Sequence, residues 1–189
     1  MTDTRRTYAD IIANLIQDGQ SEGISAQDLR DIVKSLRPAH GDLHVASGDS
    51  AATTIAVAGT FVKAEGTTTL MTDAIDVDAN SVNNRLRYTG PCVIHAHVHG
   101  QVSLTCTQNN RILAIAMYIY DASAGSGAIQ YKGKAREKIG TGTDVVTIPI
   151  HTDVELDTND YVELWVTDED GTNVITMDQL YICLRGELA

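Results

Sequence analysis

Three histidines, His95, His97 and His99, alternate with apolar residues in the middle of the chain. Successive side chains of a β-strand point to opposite faces, so this spacing predicts three imidazoles on one face. Imidazole nitrogen is a common ligand of zinc and other transition metals, and it titrates near neutral pH. Alternate residues of one strand are roughly 6.6–7 Å apart, so three imidazoles cannot all reach one ion at about 2.0–2.1 Å. A metal site would use two of them with ligands from elsewhere in the fold.

Two histidines on a strand resemble the first motif of the cupins, in which an acidic residue follows. Here Gln101, Val102 and Ser103 occupy the positions where the acidic residue is due. The later His151 lacks the Pro/Gly frame of the second cupin motif. A cupin-like metal-dependent enzyme is therefore only a minor alternative, and we expect no cofactor and no resident metal.

Two further interpretations of the histidine strand depend on how copies of the chain assemble. If one His-x-His pair faced a three-fold axis, three chains would present six imidazoles, enough for an octahedral metal. Otherwise the histidines form a polar sheet face or a wet part of a contact between subunits. In that position their ordinary pKa, about 6.5, would make assembly sensitive to pH.

The other motifs that can carry chemistry are incomplete. Gly125-Ser126-Gly127 is not followed by a helix, so it predicts no nucleophile elbow. The acidic segment Asp168–Gly171 lacks the rest of an EF-hand pattern and is predicted to be a solvated turn. Cys92, Cys106 and Cys183 form no CxxC pair, and we interpret them as reduced core cysteines. We therefore expect no catalytic residues.

The chain after residue 41 shows the patterns of β-strands. From Cys92 to Cys106 apolar or small residues alternate with polar ones, which predicts a strand with one face in a core. Residues 111–120 and 161–166 are apolar on both faces. Turn-forming residues separate these segments at intervals of roughly 10–18 residues. Strands without intervening helices predict a mainly β fold, a jelly-roll β-sandwich over residues 41–189.

Four aromatic residues, Tyr118, Tyr120, Tyr161 and Trp165, fall on the face of the two-sided strands that points away from the predicted core. One face of each sheet in a β-sandwich normally meets water, so a face this aromatic has to be covered. We predict that another copy covers it and that these residues form the interface between copies. The alternative is that they lie under a long loop at residues 123–144.

Residues 1–40 carry the helical signals. Two short helices are predicted, the second capped by Ser25 and stopped by Pro38. A hairpin this small does not bury two apolar stripes by itself. It either caps the body or serves attachment to a partner or assembly with other copies, and we favour attachment or assembly. The predicted attachment residues are Ile11, Leu15, Leu29, Ile32 and Leu36.

The charge of the chain restricts its partners. The 189 residues carry a net charge of −11, which argues against a nucleic-acid partner bound through its phosphates. No apolar run approaches the ~18–20 residues of a membrane span, so no membrane partner is expected. Residues 1–40 contain six acidic and five basic side chains, which leaves a net charge of −10 on the body. The first 40 residues are therefore the part least repelled by a neighbouring protein.

Several segments resemble virion proteins of tailed bacteriophages. Residues 23–33, GISAQDLRDIV, are similar to a segment near the N-termini of such proteins. Three body segments resemble the trimeric jelly rolls of phage head fibres, capsid decoration proteins and tail-fibre tips, which share a TNF/C1q-like architecture. These segments are NRLRYTG at 84–90, RILAIAMYIY at 111–120 and LDTNDYVEL at 156–164. The resemblance implies a homotrimer.

The resemblance also implies a location and a role. We expect a structural, non-enzymatic virion protein that decorates or stabilises the capsid, as head fibres and cement proteins do. It would be assembled in the host cytoplasm and dock through its N-terminal region on the major capsid protein or another virion protein. The alternative is a tail-fibre or receptor-binding module of the same fold. Residues 65–69, 122–127 and 140–143, the predicted loops, lack the aromatic side chains that dominate most binding hot spots, which favours decoration.

Overall fold

The computed structural model describes residues 25–35, 37–45, 50–79, 82–141 and 144–189, which contain one helix and twelve strands. No helix in these ranges has the length and apolarity to cross a membrane. In chain order the elements are α1 (Ala26–Ser35), β1 (Ala39–Val45), β2 (Ala51–Thr54), β3 (Val62–Lys63), β4 (Thr69–Leu70), β5 (Val77–Asp78), β6 (Arg85–Tyr88), β7 (Ile94–Cys106), β8 (Ile112–Asp121), β9 (Ser126–Lys138), β10 (Val146–Leu156), β11 (Tyr161–Asp168) and β12 (Val174–Leu188).

The strands form two antiparallel sheets of six strands each. The first sheet has the order β10-β7-β12-β1-β4, with β2 paired to β12. The second has the order β5-β6-β11-β8-β9, with β3 paired to β11. Apolar side chains from both sheets form one buried core. The predicted β-sandwich is confirmed.

Strand β7 lies inside the first sheet, between β10 and β12. It pairs with β10 on one side and with β12 on the other over nearly its whole length. Its even-numbered side chains are buried in the core, as the alternating pattern predicts: Ile94, Ala96, Val98, Val102 and Leu104. The odd-numbered polar residues point to the opposite side of the sheet, because the side-chain period of a strand is two.

Strand β8 lies between β11 and β9 in the second sheet and is buried on both faces. Leu113, Ile115 and Met117 belong to the core. Ala114 and Ala116 point the other way and are still buried, beside Thr167 and Trp165 of β11. The two-sided apolar pattern therefore reflects a strand that is covered on both sides.

Two features differ from the sequence prediction. Strand β1 begins at Ala39, just before the predicted boundary at residue 41, and no strand was predicted there. Its inward residues alternate as usual, but Gly41 interrupts their apolar character, so the pattern is weak. The alternative of a long loop at residues 123–144 over the aromatics is wrong, because most of these residues form β9 at the edge of the second sheet.

Helix α1 has the cap that the sequence predicts. The backbone N–H of Asp28 donates to Ser25 Oγ at 3.1 Å, and the backbone N–H of Ser25 donates to the Asp28 carboxylate at 3.1 Å. This is a reciprocal capping box. Of the predicted attachment residues, Leu29 is exposed and Ile32 is half-buried. The others lie outside the described residues: Ile11, Leu15 and Leu36.

Gly100 lies at a close approach between β7 and β12. A methyl group added there would be 1.9 Å from the carbonyl oxygen of Tyr181 on β12, so the two strands would have to separate. We expect Gly100→Ala to lower the free energy of unfolding by about 1–3 kcal/mol, the usual range for overpacking. Urea denaturation measures this change. Gln101→Ala, at an exposed position of the same strand, is the control, and an equal loss in both variants would contradict the prediction.

Candidate functional site

The three predicted histidines project from β7 away from the core, as the sequence indicates. Because β7 lies between β10 and β12, each histidine has a neighbour on both adjacent strands. The rows that cross the three strands are Glu155–His95–Glu187, Asp153–His97–Arg185 and His151–His99–Cys183. Carboxylates and one guanidinium therefore alternate with imidazoles on this surface.

This surface carries every histidine of the chain. The sequence contains six; His40 and His44 come from β1, which pairs with β12, and His151 comes from β10. We name the surface the histidine face. Its residues are His40, Asp42, His44, His95, His97, His99, Gln101, Pro149, His151, Asp153, Glu155, Tyr181, Cys183, Arg185 and Glu187.

His97 is the centre of an imidazole cluster. Its ring centroid is 5.2 Å from that of His99 and 4.5 Å from that of His151. Its Nδ1 atom is 2.7 Å from the carboxylate of Asp153. This hydrogen bond lowers the pKa of Asp153, and the charges of His97 and His151 lower it further. The hydrogen bond with the carboxylate therefore fixes the orientation of the His97 ring.

His99 has a different environment. Its Nδ1 atom is buried and has no hydrogen-bond partner among the described residues. The pKa of His99 is lowered, first because burial disfavours the imidazolium, and then because His97, Arg185 and His151 would repel its charge. Burial and the neighbouring charges therefore favour the neutral form of the His99 imidazole.

The arrangement limits the chemistry of the histidine face. Within the described ranges, no three His, Cys, Asp or Glu side chains are placed to hold a metal ion. An open cleft of about 730 Å³ lies at one end of the face and is lined by His95, His97, Asp153 and Arg185 with several neighbours. None of the described residues lining this cleft is a serine, threonine or cysteine. Its side chains can form ion pairs and exchange protons, but they include no hydroxyl or thiol nucleophile.

The four aromatic residues come together on the outward face of the second sheet. Tyr118 stacks on Trp165, and Tyr120 stacks on Tyr161, both with ring centroids 4.5 Å apart. The Arg85 guanidinium carbon lies 3.8 Å from the centroid of the Tyr161 ring. The rings are half-buried within a single chain. Their role in a contact between copies stays a prediction.

The buried carboxylate of Glu163 forms hydrogen bonds with several residues of this aromatic face. Glu163 is 3% exposed. It accepts hydrogen bonds from Lys63 at 2.7 Å, from two Arg85 nitrogens at 2.9 and 2.8 Å, and from the Trp165 indole at 3.3 Å. These donors satisfy the buried charge, which would otherwise be costly. Lys63 and Arg85 come from strands distant in sequence, so no local pattern indicates the network.

Two minor sequence predictions need correction. Asp168 was predicted to lie in a solvated turn, but it is fully buried. Its carboxylate accepts hydrogen bonds from the Asp170 backbone at 2.9 Å and from the Asn173 side chain, which holds the turn together. Of the three predicted core cysteines, Cys183 is buried, whereas Cys92 and Cys106 are only half-buried.

The order and pairing of the strands can be compared with known proteins. No family model and no curated protein matches the sequence. The chain is similar to the structure of Eiger TNF from S. frugiperda, with a TM-score of 0.56 and 7% identity over 81% of this chain and 94% of that one. The fold is a TNF-like jelly roll. Murine APRIL, crystallised at pH 5.0, is also similar, with a TM-score of 0.50 and 7% identity over 79% and 99% of the two chains. The predicted fold class is confirmed.

The environment of His99 predicts how stability depends on pH. Because folding lowers its pKa, the folded chain binds fewer protons at His99 than the unfolded chain does. Its contribution to stability is therefore present above the unfolded pKa of about 6.5 and is lost as the pH falls. We expect the urea concentration at the unfolding midpoint to be lower at pH 5.5 than at pH 7.5. This difference should be smaller in His99→Gln than in the unmodified chain. His95→Gln, at an exposed position, is the control, and an unchanged pH dependence in His99→Gln would contradict the assignment.

Proposed function

We propose that this chain is a non-enzymatic structural protein of a tailed-bacteriophage particle and that it acts as a homotrimer on the particle surface. It decorates or stabilises the capsid in the manner of head fibres and cement proteins. Residues 1–40 dock on the major capsid protein or another virion protein. The main support for the proposal is the position, within the fold, of the segments that resemble phage jelly rolls.

These segments lie side by side in the second sheet. Residues 84–90 contain β6, residues 111–120 contain most of β8, and residues 156–164 lead into β11. In the sheet, β6, β11 and β8 are consecutive strands. The resemblance therefore covers one continuous part of a TNF-like jelly roll, which is what a shared architecture requires.

The polar residues of these segments hold the fold together. Asn84 is buried with a φ of 53°, and its side-chain amide donates to the carbonyl oxygens of Ala64 at 3.0 Å and Leu164 at 2.8 Å. The Asp160 carboxylate accepts hydrogen bonds from the backbone of Asp157 and Ala122, both at 2.8 Å. These residues fix turns and strand ends, and this use supports a structural role.

The distribution of charge and apolar surface supports docking through the N-terminal region. The body carries a net charge of −10 and residues 1–40 carry −1, so a trimer repels other proteins mainly through its body. On α1, Leu29 is 57% exposed and Val33 is 56% exposed. Two large apolar side chains on one helix face give a partner a surface to bury.

Two alternatives remain testable. A tail-fibre or receptor-binding role is favoured by Tyr131, an aromatic residue of β9 that is 68% exposed. Binding to host cells that is lost in Tyr131→Ser would support that role. A cupin-like metal-dependent enzyme would need a metal on the histidine strand. Stoichiometric metal in the purified protein, lost when His95, His97 and His99 are replaced by Gln, would support the enzyme.

Removal of residues 1–37, which leaves β1 intact, tests the docking proposal. We expect the truncated chain to keep its β-sheet signal in circular dichroism and to remain a trimer, because the described core begins at Ala39. We also expect it to lose incorporation into phage particles, measured by mass spectrometry of purified particles against the full-length chain. Incorporation at full occupancy would move the docking surface to the jelly roll and contradict the proposal.

A further inference from the structure

The outer face of the second sheet is basic, although the chain as a whole is acidic. Six lysine and arginine side chains and three carboxylates lie on it, which gives a net charge of +3, against −11 for the whole chain. Residues 41–189 contain nine basic side chains, so this face holds two thirds of them. We name it the basic face, and its charged residues are Lys63, Asp78, Arg85, Arg87, Lys134, Arg136, Lys138, Glu163 and Glu169.

One cluster of charges on this face is centred on Glu169, just after β11. Its carboxylate accepts hydrogen bonds from Lys134 and, at 3.4 Å, from Arg136, both on β9. These side chains reach across β8, where the small Ala114 lies opposite Arg136 and is buried. The hydrogen bond from Lys134 lowers the pKa of Glu169, and Arg136 lowers it further. The carboxylate is therefore charged at neutral pH and is shared by two cations.

The same arrangement occurs around Glu163. Its carboxylate is shared by Lys63 at 2.7 Å and by Arg85 at 2.8 Å. Each of the two clusters contains one negative and two positive charges, so each keeps a net charge of +1. Lys138, which is exposed at the end of β9, adds a further positive charge. The face therefore attracts anions even after its own carboxylates have been paired.

The aromatic rings between these clusters favour one class of anion over another. Tyr118 stacks on Trp165, Tyr120 stacks on Tyr161, and the Arg85 guanidinium lies over the Tyr161 ring. Much of the ring surface is therefore occupied within the chain, whereas single-stranded nucleic acids bind by stacking their bases on open rings. The phenolic hydroxyls of the three tyrosines can donate and accept hydrogen bonds, as the hydroxyl groups of a sugar do.

The basic face also differs from the usual docking surface of a folded protein. Such surfaces are centred on large side chains that fill pockets of the partner. Here the rings are half-buried and packed in pairs, and the groups that extend into solvent are charged. The side chain of Arg136, for example, is 68% exposed. A polar, negatively charged chain that lies along the sheet fits this surface better than an apolar patch does.

We propose that the basic face binds an acidic polysaccharide, a chain of sugars that carries carboxylate groups. The basic side chains around Glu163 and Glu169 and at Lys138 bind its carboxylates, and the tyrosine hydroxyls between them bind its sugar hydroxyls. The inference goes beyond the particle role proposed above. It needs the surface of a single chain and does not depend on the number of copies.

A second copy is a poorer occupant of the basic face. Two copies related by a two-fold axis would bring together two faces that each carry +3. The histidine face is acidic, because Asp42, Asp153, Glu155 and Glu187 outnumber Arg185. It lies on the opposite side of the sandwich, so its pairing with the basic face of the next copy would build an open stack and not a closed ring.

The negative charge of the whole chain does not prevent this binding. At physiological ionic strength, charges separated by more than about 8 Å are largely screened. A polymer in contact with the basic face therefore responds mainly to the charges of that face. For the same reason, we expect the affinity to fall as the salt concentration rises.

Fluorescence anisotropy of a labelled oligogalacturonate, titrated with the full-length chain at pH 7.5 and low salt, tests the proposal. We expect saturable binding of this acidic oligosaccharide and none of a neutral maltooligosaccharide of the same length. Replacement of Lys134, Arg136 and Lys138 by Gln should weaken binding at least about tenfold, because hydrogen bonds to charged groups are among the strongest in proteins. Circular dichroism checks that the variant is folded.

A matched control separates the basic face from net charge. Replacement of Arg5, Arg6 and Arg30 by Gln removes the same number of positive charges outside the face and should leave the affinity unchanged. If the triple variant on β9 does not fold, Lys138→Glu reverses one exposed charge of the face and should still weaken binding. Arg30→Glu, at an exposed position of α1, is its control.

Four results would overturn the inference. They are no binding of oligogalacturonate, an equal loss of affinity in the control variants, equal or tighter binding of polyglutamate or single-stranded DNA, and loss of the wild-type oligomer in the folded β9 variant. The third result would assign the face to an acidic protein or a nucleic acid, and the fourth to a contact between copies. None of them bears on the particle role, which is tested separately by incorporation into particles.

Discussion

The pairing of β7 with β10 on one side and β12 on the other determines which side chains of the first sheet enter the core and which lie on its outer face. Because the side-chain period of a strand is two, this single register places Ile94, Val98 and Leu104 in the core and the three β7 histidines on the outer face. A shift of one residue would expose the core residues and bury the histidines. The same register therefore determines both the packing of the core and the composition of the outer surface of this sheet.

The second sheet differs from the first, because its middle strands are apolar on both faces and its outer side has to be covered. Stacked aromatic pairs cover its outer side, and the buried Glu163 is held by donors from three strands, including Lys63 and Arg85. Residues 84–90, 111–120 and 156–164 belong to this sheet, and the polar residues Asn84 and Asp160 fix its turns and strand ends. The two sheets therefore differ in their outer faces. The outer face of the second sheet is largely closed by contacts within the chain, and that of the first sheet carries the titratable histidine face.

The sequence predicted the parts of the fold that depend on local pattern. The alternation around β7 and the two-sided apolar character of β8 both appear in the structure, and the Ser25 cap begins α1 as expected. Contacts between distant strands could not be predicted. His40, His44 and His151 join the β7 histidines only through the register of β1, β12 and β10. The burial of Asp168 likewise depends on Asn173 across a turn and not on the local run of acidic residues.

The mass of the native particle tests directly whether this TNF-like jelly roll is the homotrimer that we propose. Native mass spectrometry of the unmodified full-length chain at neutral pH and micromolar concentration gives that mass. We expect one dominant species of about three times 20.3 kDa. A stable folded species at the mass of a single chain would contradict it.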